Sequence, residues 1–127
     1  MREIKFRAWH TGNKVMFSPE EMGADQLTIM PDGRGFINVS GADTHLSEFM
    51  THMIPMQYTG LKDKNGKEIY EGDIFKVTES PEEINTVEFY EGQYILEEHG
   101  LSLSDWAWSG EVIGNIYENP ELLKVEK

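Results

Sequence analysis

The sequence predicts a mainly β protein: a small SH3-like barrel or rolled sheet with N-terminal β-hairpins and one or two short helices. Three observations carry this expectation. Turn signals recur about every 8–12 residues along the chain, the spacing of short strands in a barrel or sandwich. The stretch 56–77, MQYTGLKDKNGKEIYEGDIFKV, sets two alternating runs about Asp63-Lys64-Asn65-Gly66, where Gly66 supplies the positive φ that closes a hairpin. A second turn, Glu71-Gly72-Asp73, then opens the apolar run Ile74-Phe75-Lys76-Val77, so no helix fits between the two corners. A Gly-Asp turn feeding an apolar strand is a pattern of SH3-like barrels, an analogy of fold that says little about function.

Taken in order, residues 4–9 alternate, with Ile4, Phe6 and Ala8 on one face and Lys5, Arg7 and Trp9 on the other. Thr11-Gly12-Asn13-Lys14 reads as a turn and Val15-Met16-Phe17 as the returning strand. Ser18-Pro19-Glu20-Glu21-Met22 holds a cap, a proline and acidic residues in helix-starting order, and Gly23 limits the helix to about one turn. Residues 27–30 and 35–39 flank Pro31-Asp32-Gly33-Arg34 as a second hairpin. Residues 43–53 carry the one clear helical pattern of the interior: Leu46, Phe49, Met50 and Met53 share a face, Asp43 or Thr44 caps it, and Pro55 ends it. After the central stretch, Ser80-Pro81-Glu82-Glu83 is an acidic loop, and residues 86–90 and 93–96 form a hairpin about Glu91-Gly92. Residues 101–108 fit neither period clearly. Residues 111–117 make a last strand whose Gly114 suggests a bulge, and Asn119-Pro120-Glu121-Leu122-Leu123 starts a terminal helical turn. The organisation that follows is residues 1–53 as a β-rich segment with a short helix, and residues 54–127 as a small β-barrel-like region with a C-terminal helical turn.

The 127 residues, 39% apolar, can bury one compact core. With no cysteine there is no disulfide framework and no thiolate metal site. The alternating stretch 1–7 lacks the apolar run of a signal peptide, and no apolar run nears the roughly 20 residues of a membrane span. A cytoplasmic protein of a bacterial host cell is expected.

The formal charge of −12 is unevenly placed. Residues 78–123 contain eleven carboxylates and no lysine or arginine, whereas residues 1–77 carry nine basic and eleven acidic residues. A phosphate-backbone binder needs clustered cations to release counterions, so this acidic half argues against DNA or RNA. It suits solubility, or a basic protein partner. The residues expected to meet such a partner are Glu82, Glu83, Glu97 and Glu98, joined by Trp106 and Trp108. That indole pair would share one face of a strand, either in the core or at an interface. The competing reading is a small-barrel nucleic-acid binder acting through Arg2, Lys5, Arg7, Lys62, Lys64 and Lys67.

No catalytic, cofactor-binding or metal-ligating residues are expected. His45, Glu48 and His52 flank the proposed helix, but histidines seven apart lie about 10 Å from each other along a helix, too far for one ion. Thr59 and Asp63 bracket a glycine without a nearby histidine, and Asp63 and Asp73 are better explained as acceptors within turns. Met50, Met53 and Met56 recur every three residues, and the first two fall in the apolar stripe. Gly60, Gly66 and Gly72 sit at hairpin corners and open no helix, so they make no phosphate loop.

Three blocks resemble the YopX family of phage and prophage proteins: Arg2-Glu3-Ile4-Lys5-Phe6-Arg7-Ala8-Trp9; Gln57-Tyr58-Thr59-Gly60-Leu61-Lys62-Asp63 through Gly66 to Ile69-Tyr70-Glu71-Gly72-Asp73; and Val112-Ile113-Gly114-Asn115-Ile116-Tyr117-Glu118-Asn119-Pro120. His10 stands where the family usually has an acidic residue. The resemblance implies a phage or prophage origin, a mostly β fold and self-association, with no catalytic residues and no cofactor. The expectation is therefore a homo-oligomeric, acidic, non-enzymatic interaction module that binds a basic host or phage protein.

Overall fold

The computed structural model describes residues 3–39, 49–50, 52–77, 83–98 and 100–123, with Phe49 and Glu83 described by backbone alone. The chain is mainly β with few short helices. It divides into two compact units, Ile4–Gln57 and Met1–Glu3 with Tyr58–Lys127.

In the first unit, β1 (Phe6–His10) pairs antiparallel with β2 (Val15–Phe17). The next element, α1 (Pro19–Ala24), starts on a capping box: Ser18 Oγ accepts from the Glu21 amide at 3.0 Å, and Glu21 Oε1 accepts from the Ser18 amide at 2.8 Å. β3 (Leu27–Ile29), β4 (Phe36–Asn38) and β5 (Phe49–Met50) form a three-stranded antiparallel sheet. β6 (Met53–Lys62) pairs with β1 through its first residues, Met53 to Gln57. Ala8, Met22, Phe36 and Met53 form the buried centre, ringed by Phe6, Phe17, Leu27, Ile29 and Met50.

Two expectations for this region are corrected. Phe49, Met50 and Met53 are not helical: Phe49 and Met50 pair with Ile37 and Phe36, and Met53 opens β6. Residues 43–48 and Thr51 of that proposed helix lie outside the described residues. The methionine spacing that resembles a helical face instead supplies strands whose methionines, Met53 and Met56, are buried. The alternation over 4–9 also fails at both ends: Ile4 precedes β1 and is 62% exposed, and Ala8 and Trp9, adjacent and so on opposite faces, are both buried. A strand covered on both sides shows no polar face.

In the second unit, β6 continues from Tyr58 alongside β7 (Glu68–Tyr70), with a register shift between Tyr58 and Lys62. Thr59 Oγ1 holds that irregularity, donating to the Ile69 carbonyl at 2.7 Å and accepting from the Leu61 amide at 3.2 Å. There follow β8 (Asp73–Val77), β9 (Glu83–Tyr90), β10 (Gln93–Leu96), β11 (Leu101–Ser102), α2 (Leu103–Trp106), a 3₁₀ turn (Ala107–Ser109), β12 (Gly110–Asn115) and a terminal 3₁₀ turn (Pro120–Leu123). The curled antiparallel sheet has the order β11-β10-β9-β8-β12. Its inner face buries Phe75, Val77, Val87 and Leu96 against Ile69 of β7 and against Leu103 and Ala107.

A single carboxylate ties the central hairpin to the last strand. Asp63, 6% exposed, accepts from the Asn65 and Lys67 amides through Oδ1, both at 2.9 Å, and from the Val112 amide through Oδ2 at 2.9 Å. Beside it the Lys64 amide donates to the Gly110 carbonyl at 3.0 Å. The outer edge of β12 is thereby occupied by the turn between β6 and β7. Gly110 is required there, because a Cβ would stand 2.4 Å from the Phe75 ring and 2.5 Å from the Lys76 carbonyl oxygen. Asp73 accepts from the Tyr70 amide at 2.8 Å, and Asn115 Oδ1 accepts from the Tyr117 and Glu118 amides at 3.0 and 2.8 Å. Asn119 departs from its expected capping role: its Oδ1 accepts from the Asn115 amide at 3.2 Å, tightening the turn after β12.

Replacing Asp63 by Ala leaves three amides without this acceptor, and urea unfolding should show a loss of about 2–4 kcal/mol. Asp63→Asn should fall between the two, since one oxygen can still serve Asn65 and Lys67. A wild-type midpoint for Asp63→Ala would show that the fold closes without this group.

Candidate functional site

The surface nominated by charge lies in the second unit. Glu97 and Glu98 follow β10 directly and are exposed, their backbone fixed by Glu97 N–H to the Thr86 carbonyl and Glu98 N–H to Asn85 Oδ1, both at 2.9 Å. Glu83 begins β9, opposite Val77, and Glu82 lies outside the described residues. Glu88, Glu91, Asp105, Glu118 and Glu121 are also exposed. Water therefore solvates most of the described carboxylates of 78–123, while the buried Asp63 and Asp73, earlier in the chain, accept from backbone amides.

The two tryptophans part company. They do not share a strand: Trp106 ends α2 and Trp108 lies in the 3₁₀ turn, so the two-residue spacing turns them apart. Trp106 is half-buried against the Phe75 cluster, whereas Trp108 is 66% exposed with its Nε1–H donating to the Asp105 carbonyl at 2.8 Å. That bond fixes an indole in solvent beside an exposed carboxylate.

The cationic residues are divided between the two units. Lys62, Lys64 and Lys67 are exposed on or beside the turn between β6 and β7. Lys5 and Arg7 belong to the first unit, and Arg2 lies outside the described residues. His45 and Glu48 also fall outside them, while His52 sets its ring edge-on to His10 with centroids 4.6 Å apart. The Asn13 amide donates to His10 Nδ1 at 3.0 Å. Among the described residues no group of three or more histidines and carboxylates is placed to hold a metal ion, and no helix is long and apolar enough to cross a membrane.

Sequence reading passes over Phe89 and Tyr90, which are 55% and 58% exposed at the end of β9. The signal that distinguishes them is length: β9 spans eight residues and its neighbour β8 only five, so one end of β9 outlasts the sheet.

Trp106→Ala should destabilise the protein by about 2–4 kcal/mol in urea through lost packing, while Trp108→Ala should stay within about 0.5 kcal/mol of wild type. Iodide quenching of Trp fluorescence should fall sharply in Trp108→Phe and little in Trp106→Phe.

The family model described as YopX protein matches residues 5–124. Among solved structures, the chain is similar to protein EF1440 from Enterococcus faecalis, at 29% identity and a TM-score of 0.67, over 98% of this chain and 100% of that one. It is also similar to protein yopX from Bacillus subtilis, at 20% identity and a TM-score of 0.57 over 100% of both chains, a likeness of fold. No curated protein matches. With the family model matching nearly end to end, the chain belongs to the YopX family.

Proposed function

We propose that this protein is a non-enzymatic interaction module, encoded by a phage or prophage and working in the bacterial cytoplasm, whose acidic surface binds a basic host or phage protein. The observation that carries this reading is the segregation of charge: residues 78–123 hold eleven carboxylates and no lysine or arginine. Asp105 stands beside the exposed Trp108, and Glu97 and Glu98 are exposed after β10, so the unit offers carboxylates and an aromatic anchor, groups suited to Lys- and Arg-bearing surfaces. The commitment of Asp63, Asp73 and Thr59 to backbone groups supports a structural role for the residues of the central block. Self-association belongs to the same proposal and rests on exposed apolar groups such as Trp108.

The test is the salt and charge dependence of association with a partner captured from infected host lysate. Raising salt from 0.1 M to 1 M shortens the Debye length from about 10 Å to about 3 Å, so association should slow markedly. Charge reversal at Glu82, Glu83, Glu97 and Glu98 should slow it at low salt, and changing Lys62, Lys64 and Lys67 to Glu should leave it intact. The nucleic-acid reading requires the opposite pattern, and tight, salt-sensitive binding of the wild-type chain to oligonucleotides would replace the present one.

A further inference from the structure

The β9–β10 hairpin carries its core-facing side beyond the core. Val87 and Leu96 stand opposite each other and are fully buried. Two residues further toward the tip on each strand, Phe89 and Tyr94 are again opposite each other and so on the same side of the ribbon. Their rings meet edge to face with centroids 5.0 Å apart. Tyr94 touches the margin of the core, but Phe89 is 55% exposed.

The reason lies in the register. β8 pairs with β9 from Glu83 to Thr86, and the Gly72 amide bonds to the Val87 carbonyl at 2.8 Å. Beyond that point the described pairing of β9 is with β10, and β11 joins β10 only from Ile95, so Phe89–Tyr90 and Gln93–Tyr94 form a two-stranded ribbon. Its tip exposes Phe89 and Tyr90 between the exposed carboxylates Glu88 and Glu91. An isolated ribbon has little to bury an aromatic side chain against, and aromatic groups left in water mark contact surfaces.

We propose that this ribbon tip is a docking finger for an arginine-bearing segment of a basic protein, an inference that rests on the reading of the acidic surface as a partner site. The chemistry selects this occupant. A guanidinium stacks on aromatic faces and forms paired hydrogen bonds with carboxylates, and the tip offers both within a few residues. Nucleic acid would find aromatic faces for its bases but no cation between residues 78 and 123 for its phosphates. A second copy would bring Glu88 and Glu91 against their equivalents in a chain of formal charge −12.

The test uses the full-length protein and three synthetic probes of equal length: an alternating Arg/Val peptide, its Lys/Val counterpart and a single-stranded oligonucleotide. Amide chemical shifts report where each binds. The Arg peptide should shift Glu88 to Tyr94 and bind several-fold tighter than the Lys peptide, because lysine lacks the planar stack. Phe89→Ala combined with Tyr90→Ala should weaken it about tenfold. These side chains are more than half exposed, so the urea midpoint should hold, and Phe89→Tyr should restore binding. If the Arg peptide binds but shifts only Glu97, Glu98 and Trp108, the finger is refuted and the acidic-surface reading stands. If neither peptide binds, both fail. Preferential shifts of the tip by the oligonucleotide, or concentration-dependent shifts of Glu88 to Tyr94 without any probe, would overturn the choice of occupant.

Discussion

The buried carboxylate of Asp63 is the constraint on which the second unit depends. A tight turn must present its amides to something, and an open five-stranded sheet must protect its last edge. Asp63 answers both requirements with two oxygens: one organises the turn through Asn65 and Lys67, the other reaches Val112 across nearly fifty residues of chain. Hydrogen bonds to an ionised acceptor are stronger than neutral ones, typically about 1.5–3 kcal/mol each, which offsets the cost of burying the charge. The Lys64 amide and Gly110 carbonyl extend the junction, and the missing side chain at Gly110 lets Phe75 lie beneath it. Ile69, Phe75 and Val77 can then share one core.

This arrangement explains why the central and closing sequence blocks have the composition they do. Thr59, Asp63, Asp73, Asn115 and Asn119 could each be mistaken for reactive groups in a linear reading. In the fold each one accepts from a backbone amide at a bulge, a turn or a strand end. Short polar side chains compete well for nearby backbone groups, which is what corners in a small sheet require. The blocks are thus a record of how the chain turns, and family membership alone specifies geometry more than chemistry.

The hairpins were legible in the sequence because their determinants are local. Asp63 to Gly66, Pro31 to Arg34 and Glu91-Gly92 state their turns within four residues, and Ser18 to Glu21 states a cap. What failed was any inference that needed to know the neighbours. Phe49, Met50 and Met53 have helical spacing, yet pairing with β4 and β1 decides their conformation. The strand spacing of Trp106 and Trp108 gave way to a helix and a 3₁₀ turn, because Leu103 and Ala107 anchor that segment in the core at i and i+4. Of the candidate surface, its charge was legible and its shape was not. Carboxylates can be counted along a chain, but that β9 outruns β8 is a property of register.

The separation of roles also accounts for the charge. A chain whose corners are held by carboxylate and amide side chains bonded to backbone needs few ion pairs to define its turns. Lysine and arginine can be absent from residues 78–123 without leaving those turns unmade. Net negative charge on a compact unit still opposes folding through self-repulsion. The opposition stays tolerable because exposed carboxylates such as Glu91, Glu97, Glu98, Glu118 and Glu121 lie in turns and beyond strand ends, where the dielectric is high and counterions approach. Those positions are also open to an approaching molecule. An acidic, aromatic ribbon tip is thus compatible with the fold in a way that an acidic inner face would not be, and the same placement that lowers the cost of the charge makes it available for recognition.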